Sequence, residues 1–158
     1  MAFVRDPIQW LDEGARLPER LFLKTAGGRE VSYAALRELS GRMAGALAGL
    51  GVQPGDRVAA QVEKSAEAVF LYIACLRMGA VFVPINVANT ATEVEYFLCD
   101  SRPRVAVVRP QDLAFIGPVA LEAGAAAVET LGLDADGSLC ELASRCGDFR
   151  TPSSMDPG

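Results

Sequence analysis

The chain has 158 residues, of which 51% are hydrophobic and 22% charged, with a formal net charge of −5 and no histidine. That length suits one domain with a real core, since folding at this size buries about 68–70% of the unfolded surface, and the composition argues against disorder. No basic run is present to release phosphate counterions, which speaks against a nucleic-acid partner, and the missing histidines remove the commonest general base and metal ligand.

Taken in order, Pro7 to Leu17 reads as a short amphipathic helix with Ile8, Trp10 and Leu11 on its apolar side, Trp10 serving as a packing anchor. Arg20 to Lys24 alternates as a strand, Ala26-Gly27-Gly28 is turn chemistry, and Glu30-Val31-Ser32 returns as an antiparallel partner. Ser32 caps a helix from Tyr33 to Leu50, closed by Gly51, with Leu36, Leu39, Met43, Leu47 and Leu50 on one face. Gly41, Gly45 and Gly49 sit four apart and are expected to let this helix pack closely on the sheet.

From Asp56 the pattern becomes strand, helix, strand, helix, strand. Arg57 to Val62 is a strand. Ser65 caps a helix over Ala66–Met78 that is apolar nearly all round and therefore buried on more than one side, and Gly79 ends it. Val81 to Pro84 is the next strand. Thr92 and Glu95 have capping-box spacing and open a helix that ends near Asp100, before Pro103. Val105 to Val108 follows as a strand. Such alternation implies parallel pairing through crossovers, with the sheet covered on both faces. Gln111 to Ile116 reads as one or two helical turns, broken at Gly117-Pro118 and resumed over Val119 to Ala123. Ala126 to Leu131 is a fourth strand, Asp134 to Gly137 a turn, and Ser138 the cap of a last helix to Arg145. The expected architecture is α/β: a mostly parallel sheet flanked by helices, with an N-terminal antiparallel strand pair. Residues 1–150 form one domain and 151–158 a polar tail.

The cysteines, Cys75, Cys99, Cys140 and Cys146, form no C-x-x-C pair, which speaks against a zinc site. Cys75 and Cys99 lie in apolar helices and read as buried hydrophobes. Without a secretory h-region or an uncharged 18-residue apolar run, a reducing, cytoplasmic setting and no membrane span are expected.

In an open parallel sheet, ligands bind outside the carboxyl ends of the strands. Three loops leave those ends: Glu63-Lys64-Ser65, Ile85 to Thr90 with Asn86, and Arg109-Pro110-Gln111. Lys64 and Arg109 are candidates to hold an anion, Asn86 is a polar candidate beside them, and Ser65 opens a helix whose N-terminus favours negative charge. The plainer reading of Ser65 is a cap, and of Lys64 a solvated cation. No activated nucleophile is visible.

The runs Ser32-Tyr33-Ala34-Ala35-Leu36, Asp56-Arg57-Val58-Ala59, Glu63-Lys64-Ser65 and Arg77-Met78-Gly79-Ala80-Val81-Phe82-Val83-Pro84-Ile85-Asn86 resemble the opening of adenylate-forming acyl-CoA synthetases. So does Asp100-Ser101-Arg102-Pro103-Arg104. Leu71-Tyr72-Ile73-Ala74-Cys75-Leu76-Arg77, together with Glu129-Thr130-Leu131-Gly132, brings the likeness nearest to malonyl-CoA synthetases. The resemblance covers nearly the whole chain, yet about the first third of a family enzyme. It implies a ligase that joins a carboxylic acid to CoA, using ATP and magnesium and releasing AMP and pyrophosphate. The phosphate loop, the adenine and magnesium motif, the ribose aspartate and the catalytic lysine of that family are expected beyond Gly158. Thr151-Pro152-Ser153-Ser154 lacks the glycines and lysine of the phosphate loop, so no catalytic residue is carried over. The chain alone is expected to be inactive, its partners being the remainder of the ligase and a small carboxylic acid. Apolar surface left bare is expected to favour self-association. The competing readings are the same family acting on another acid, and a self-standing α/β interaction module.

Overall fold

A computed structural model describes residues 16–147 together with Gln9, Leu11, Gly14 and Phe149. The expected helix over residues 7–17, including Trp10, and the tail at 151–158 lie outside the described residues in whole or in large part.

Among the described residues there are two sheets. Strands β1 (Leu21–Lys24) and β2 (Glu30–Ser32) pair antiparallel as a hairpin. Its turn is closed by Gly28, whose φ of 86° suits glycine, and by Thr25 N–H on the Arg29 carbonyl at 2.9 Å. Phe22 packs edge-on against Tyr33 with ring centroids 5.3 Å apart, which ties the hairpin to helix α1 (Tyr33–Gly49). Ser32 caps α1 by accepting from Ala35 N–H.

The second sheet holds β3 (Arg57–Gln61), β4 (Val81–Pro84), β5 (Val105–Val108) and β6 (Ala127–Thr130), all parallel, in the order β4-β3-β5-β6. Helix α2 (Ala66–Met78) carries the chain from β3 to β4, and α3 (Ala91–Ser101) carries it back past β3 to β5. Helices α4 (Leu113–Glu122) and α5 (Ser138–Ser144) flank β6 in sequence. Alternation along the strands divides the core. Val58, Ala60, Val105 and Val107 face α1, α2 and α5, while Ala59, Ala106 and Val108 face α3 and α4. Phe70 and Leu71 of α2 are fully buried, as expected of a helix apolar all round.

Five local expectations are corrected. The capping box of α3 is formed by Thr90 and Glu93, not Thr92 and Glu95: Glu93 accepts from Thr90 N–H at 2.7 Å, and Glu93 N–H donates to Thr90 Oγ1. A turn over Asn86–Asn89, with Asn89 N–H on the Asn86 carbonyl at 3.0 Å, delivers Thr90 already extended, so the earlier of two T-x-x-E frames is taken. Helix α4 runs unbroken through Gly117-Pro118. Glycine before proline lacks the Cβ that would clash with the ring, and burial of Ile116, Gly117 and Ala120 offsets the lost hydrogen bond. Ser138 is the first residue of α5 rather than its cap, which is Gly137. Its hydroxyl instead accepts from Thr130 N–H at 2.9 Å and donates to Glu129. Cys99 is exposed, because the buried side of α3 is used by Val94 and Leu98. In the glycine stripe of α1, Gly45 packs away from the sheet and Gly49 meets nothing: a Cβ at Gly45 would come 3.1 Å from Cys146 Cβ, just beyond α5.

Candidate functional site

The chain leaves β3 toward β4 on one side and returns to β5 on the other, so the topological switch lies between β3 and β5, where open α/β sheets place ligands. Here that crevice is spanned by protein. Arg109, at the end of β5, donates to Glu63 at 2.7 Å and to Asp112 at 2.5 Å. Hydrogen bonding to Asp112 first and Glu63 second pushes the guanidinium above its ordinary pKa. Arg109 is thus committed to joining the ends of β3 and β5. Close by in sequence, Gln61 is buried with its Oε1 unpartnered.

A concavity lies to the α2 side of this strap. It is an open groove of ≈ 1460 Å³ between the β1–β2 turn, the first turns of α2 and the carboxyl end of β4. Lys64, Ser65 and Asn86 all line it, whereas Arg109 does not. Ser65 Oγ accepts from Ala68 N–H at 3.1 Å, and Asn86 Oδ1 accepts from Ala88 N–H at 2.9 Å, so both side chains serve the backbone of their own loops. Lys64 is exposed. Ser65→Ala is expected to lower stability by about 1 kcal/mol, the usual worth of a helix cap, read as a shift of the urea midpoint at unchanged slope.

Sequence reasoning missed the groove's best-defined polar contact. Glu67, in the first turn of α2, is 4% exposed and pairs with Arg29 of the hairpin at 2.5 Å. The Arg29 guanidinium also lies 5.9 Å from the centre of the Phe70 ring. This pair fastens the hairpin to α2 and fixes one wall. Only the acidic position in the helix's first turn hinted at it, and the partner is 38 residues away.

Two of the thiols, Cys75 and Cys140, are held in the protonated, unreactive form. Burial pushes Cys75 up to about 12, and Cys140 is raised to about 11 by burial first and by Glu67 and Asp136 after it. Among the described residues no group of three metal-ligating side chains occurs, and no helix is long and apolar enough to cross a membrane. Among the described residues the set does not fit ATP with magnesium: the Ser65 hydroxyl and the Asn86 side-chain oxygen each accept from a backbone N–H of their own loop, and no group of three metal-ligating side chains stands beside them.

The family described as AMP-binding enzyme matches residues 11–150. This chain belongs to the AMP-binding enzyme family. Among solved structures, this chain is similar to apo MatB from Rhodopseudomonas palustris, at 41% identity and a TM-score of 0.88, over 94% of this chain and 30% of that one. It is similar also to the N-terminal domain of FACL13 from Mycobacterium tuberculosis, at 28% identity and a TM-score of 0.76, over 96% of this chain and 39% of that one. The long-chain-fatty-acid–CoA ligase FadD13 of Mycobacterium tuberculosis is 32% identical over 118 residues, 75% of this chain and 24% of its own length. The chain therefore spans less than a third of that curated relative. It resembles the N-terminal part of the acyl-CoA ligases, with an α/β fold to match.

Proposed function

We propose that this chain is the N-terminal scaffold of an acid–thiol ligase that joins malonate to CoA, with ATP, magnesium and CoA as cosubstrates and cofactor of the whole enzyme. The likeness to MatB along nearly the full chain carries this reading. Adenylation needs donors around the phosphates, a metal to neutralise charge and a cation at the reacting carboxyl. Lys64 and the first turn of α2 contribute at most a positive rim to the cleft completed by other segments. Residues 1–150 act as one α/β unit. The four cysteines are all free thiols, which favours a reducing, cytoplasmic setting.

The test is pyrophosphate release by the full-length polypeptide in the presence of ATP and CoA, with malonate, a medium-chain fatty acid and an aromatic acid in parallel. Malonate should give the highest kcat/KM. Preference for another acid would keep the ligase class and overturn the malonate assignment. Absence of release with every acid would favour a self-standing interaction module.

A further inference from the structure

The last turn of α2 carries an arginine in the core. Arg77 is 8% exposed. An apolar side chain would fill this space without taking a charge out of water, so the guanidinium is here for its hydrogen bonds. Its Nη1 donates to the Arg37 carbonyl at 2.7 Å and to Ser40 Oγ at 3.0 Å, both on α1, and Ser40 is itself fully buried. Its Nη2 donates to the Phe149 carbonyl at 2.9 Å, across 72 residues of sequence. The planar fork of arginine aims its nitrogens in fixed directions. One arm engages α1, and the other reaches the stretch that follows α5.

A second contact, independent of Arg77, holds the same stretch. A Cβ at Gly45 of α1 would stand 3.1 Å from Cys146 Cβ and 3.5 Å from the Gly147 carbonyl oxygen. Glycine at this position lets residues 146 and 147 lie directly on α1. Phe149 then packs against the larger core cluster. The backbone leaving α5 is thus seated at two points, on α1 at Gly45 and on α2 at Arg77. A loose connection would need neither.

We infer that Arg77 is a positioning residue of the ligase: by holding the Phe149 carbonyl it fixes the course on which the polypeptide leaves this α/β unit, and with it the placement of the parts that complete the reaction site. The inference rests on the ligase reading. The matched part of MatB is 30% of that chain, so in an enzyme of that kind the polypeptide running on from such an N-terminal part carries most of the protein. A misplacement of about 1 Å can cost on the order of 10²-fold in rate, and an unanchored exit allows such a shift.

The test uses the full-length polypeptide with Arg77→Lys, which keeps the charge but replaces the fork by one nitrogen that cannot serve α1 and Phe149 together. Hydrogen exchange is followed at Arg145 and Cys146, whose N–H groups bond to the Leu142 and Ala143 carbonyls. Exchange there should quicken roughly tenfold, the scale of one lost hydrogen bond to a charged group, while β3 and β5 keep their protection. Pyrophosphate release per folded enzyme should show kcat lower by about tenfold or more and the KM for malonate within about twofold, since positioning acts on the reacting geometry rather than on uniform binding. Gly45→Ala, which presses on Cys146 and leaves Arg77 intact, should give a smaller change of the same kind, and it decides the matter if Arg77→Lys does not fold. Ser40→Ala loosens the α1 arm alone and should quicken exchange less than Arg77→Lys. Unaltered exchange after α5 in Arg77→Lys and Gly45→Ala overturns the anchor, as does an equal effect from Ser40→Ala. Faster exchange with unaltered kcat, or a change confined to the KM for malonate, overturns the positioning role. No release by the unsubstituted polypeptide with any acid overturns the ligase reading and the positioning role with it, while exchange still decides whether Arg77 anchors the exit.

Discussion

Phe70→Ala lowers the stability of this chain by about 3–5 kcal/mol, the range for truncating a buried phenylalanine. The melting midpoint should fall by on the order of 10 °C. Phe70 is among the largest fully buried side chains, in the cluster that joins α1, α2 and the Val58 face of the sheet. The cavity left behind has rigid neighbours: β3 beneath, α1 outside, and the Arg29–Glu67 pair at its edge. Collapse around it is therefore limited, which places the cost toward the upper part of the range. A melt displaced by less than about 2 °C would show that α2 is not central to the core.

Gly137→Ala is the second large effect, and it acts through backbone alone. Gly137 has φ 106° and ψ 163°, a region that belongs almost solely to glycine. A Cβ there would lie 2.5 Å from the Thr130 carbonyl oxygen and 2.8 Å from its carbon. Neither atom can swing aside, because Thr130 belongs to β6 and its N–H and hydroxyl are held by Ser138. Strain and clash together should cost roughly 2–5 kcal/mol. Hydrogen exchange should localise the loss to β6 and α5, with β3 and β4 less affected. Uniform loss across the sheet would contradict this account of the junction.

What the sequence disclosed, and what it withheld, follows from the range of the interactions involved. The βαβ run from Arg57 to Val108 was legible because period and punctuation agree: Ser65 before α2, Gly79 after it, and apolar runs where strands are covered on both faces. The hairpin was legible from Gly27-Gly28. The frame of the α3 capping box was not, since Thr90 and Thr92 both satisfy the pattern and a turn upstream decides between them. Nor was the continuity of α4, because the burial that offsets Pro118 is tertiary. The polar architecture of the candidate site was largely hidden. Glu67 meets Arg29 across 38 residues and Arg109 meets Glu63 across 46, and no local rule announces either pair. Lys64, Ser65 and Asn86 could be placed on one rim from strand polarity alone, and they do share a groove. Arg109 had the right strand end as well, yet two carboxylates engage it.

The measurement that bears most directly on the scaffold reading is calorimetric titration of ATP into the 158-residue chain, beside the same titration into the full-length polypeptide. The account predicts no binding in the micromolar range by the short chain, and clear binding by the full-length protein. Micromolar ATP binding by the short chain, or any thioester formed when malonate and CoA are added to it, would contradict the account and place a working nucleotide site among the loops at 63–65, 85–90 and 109–111.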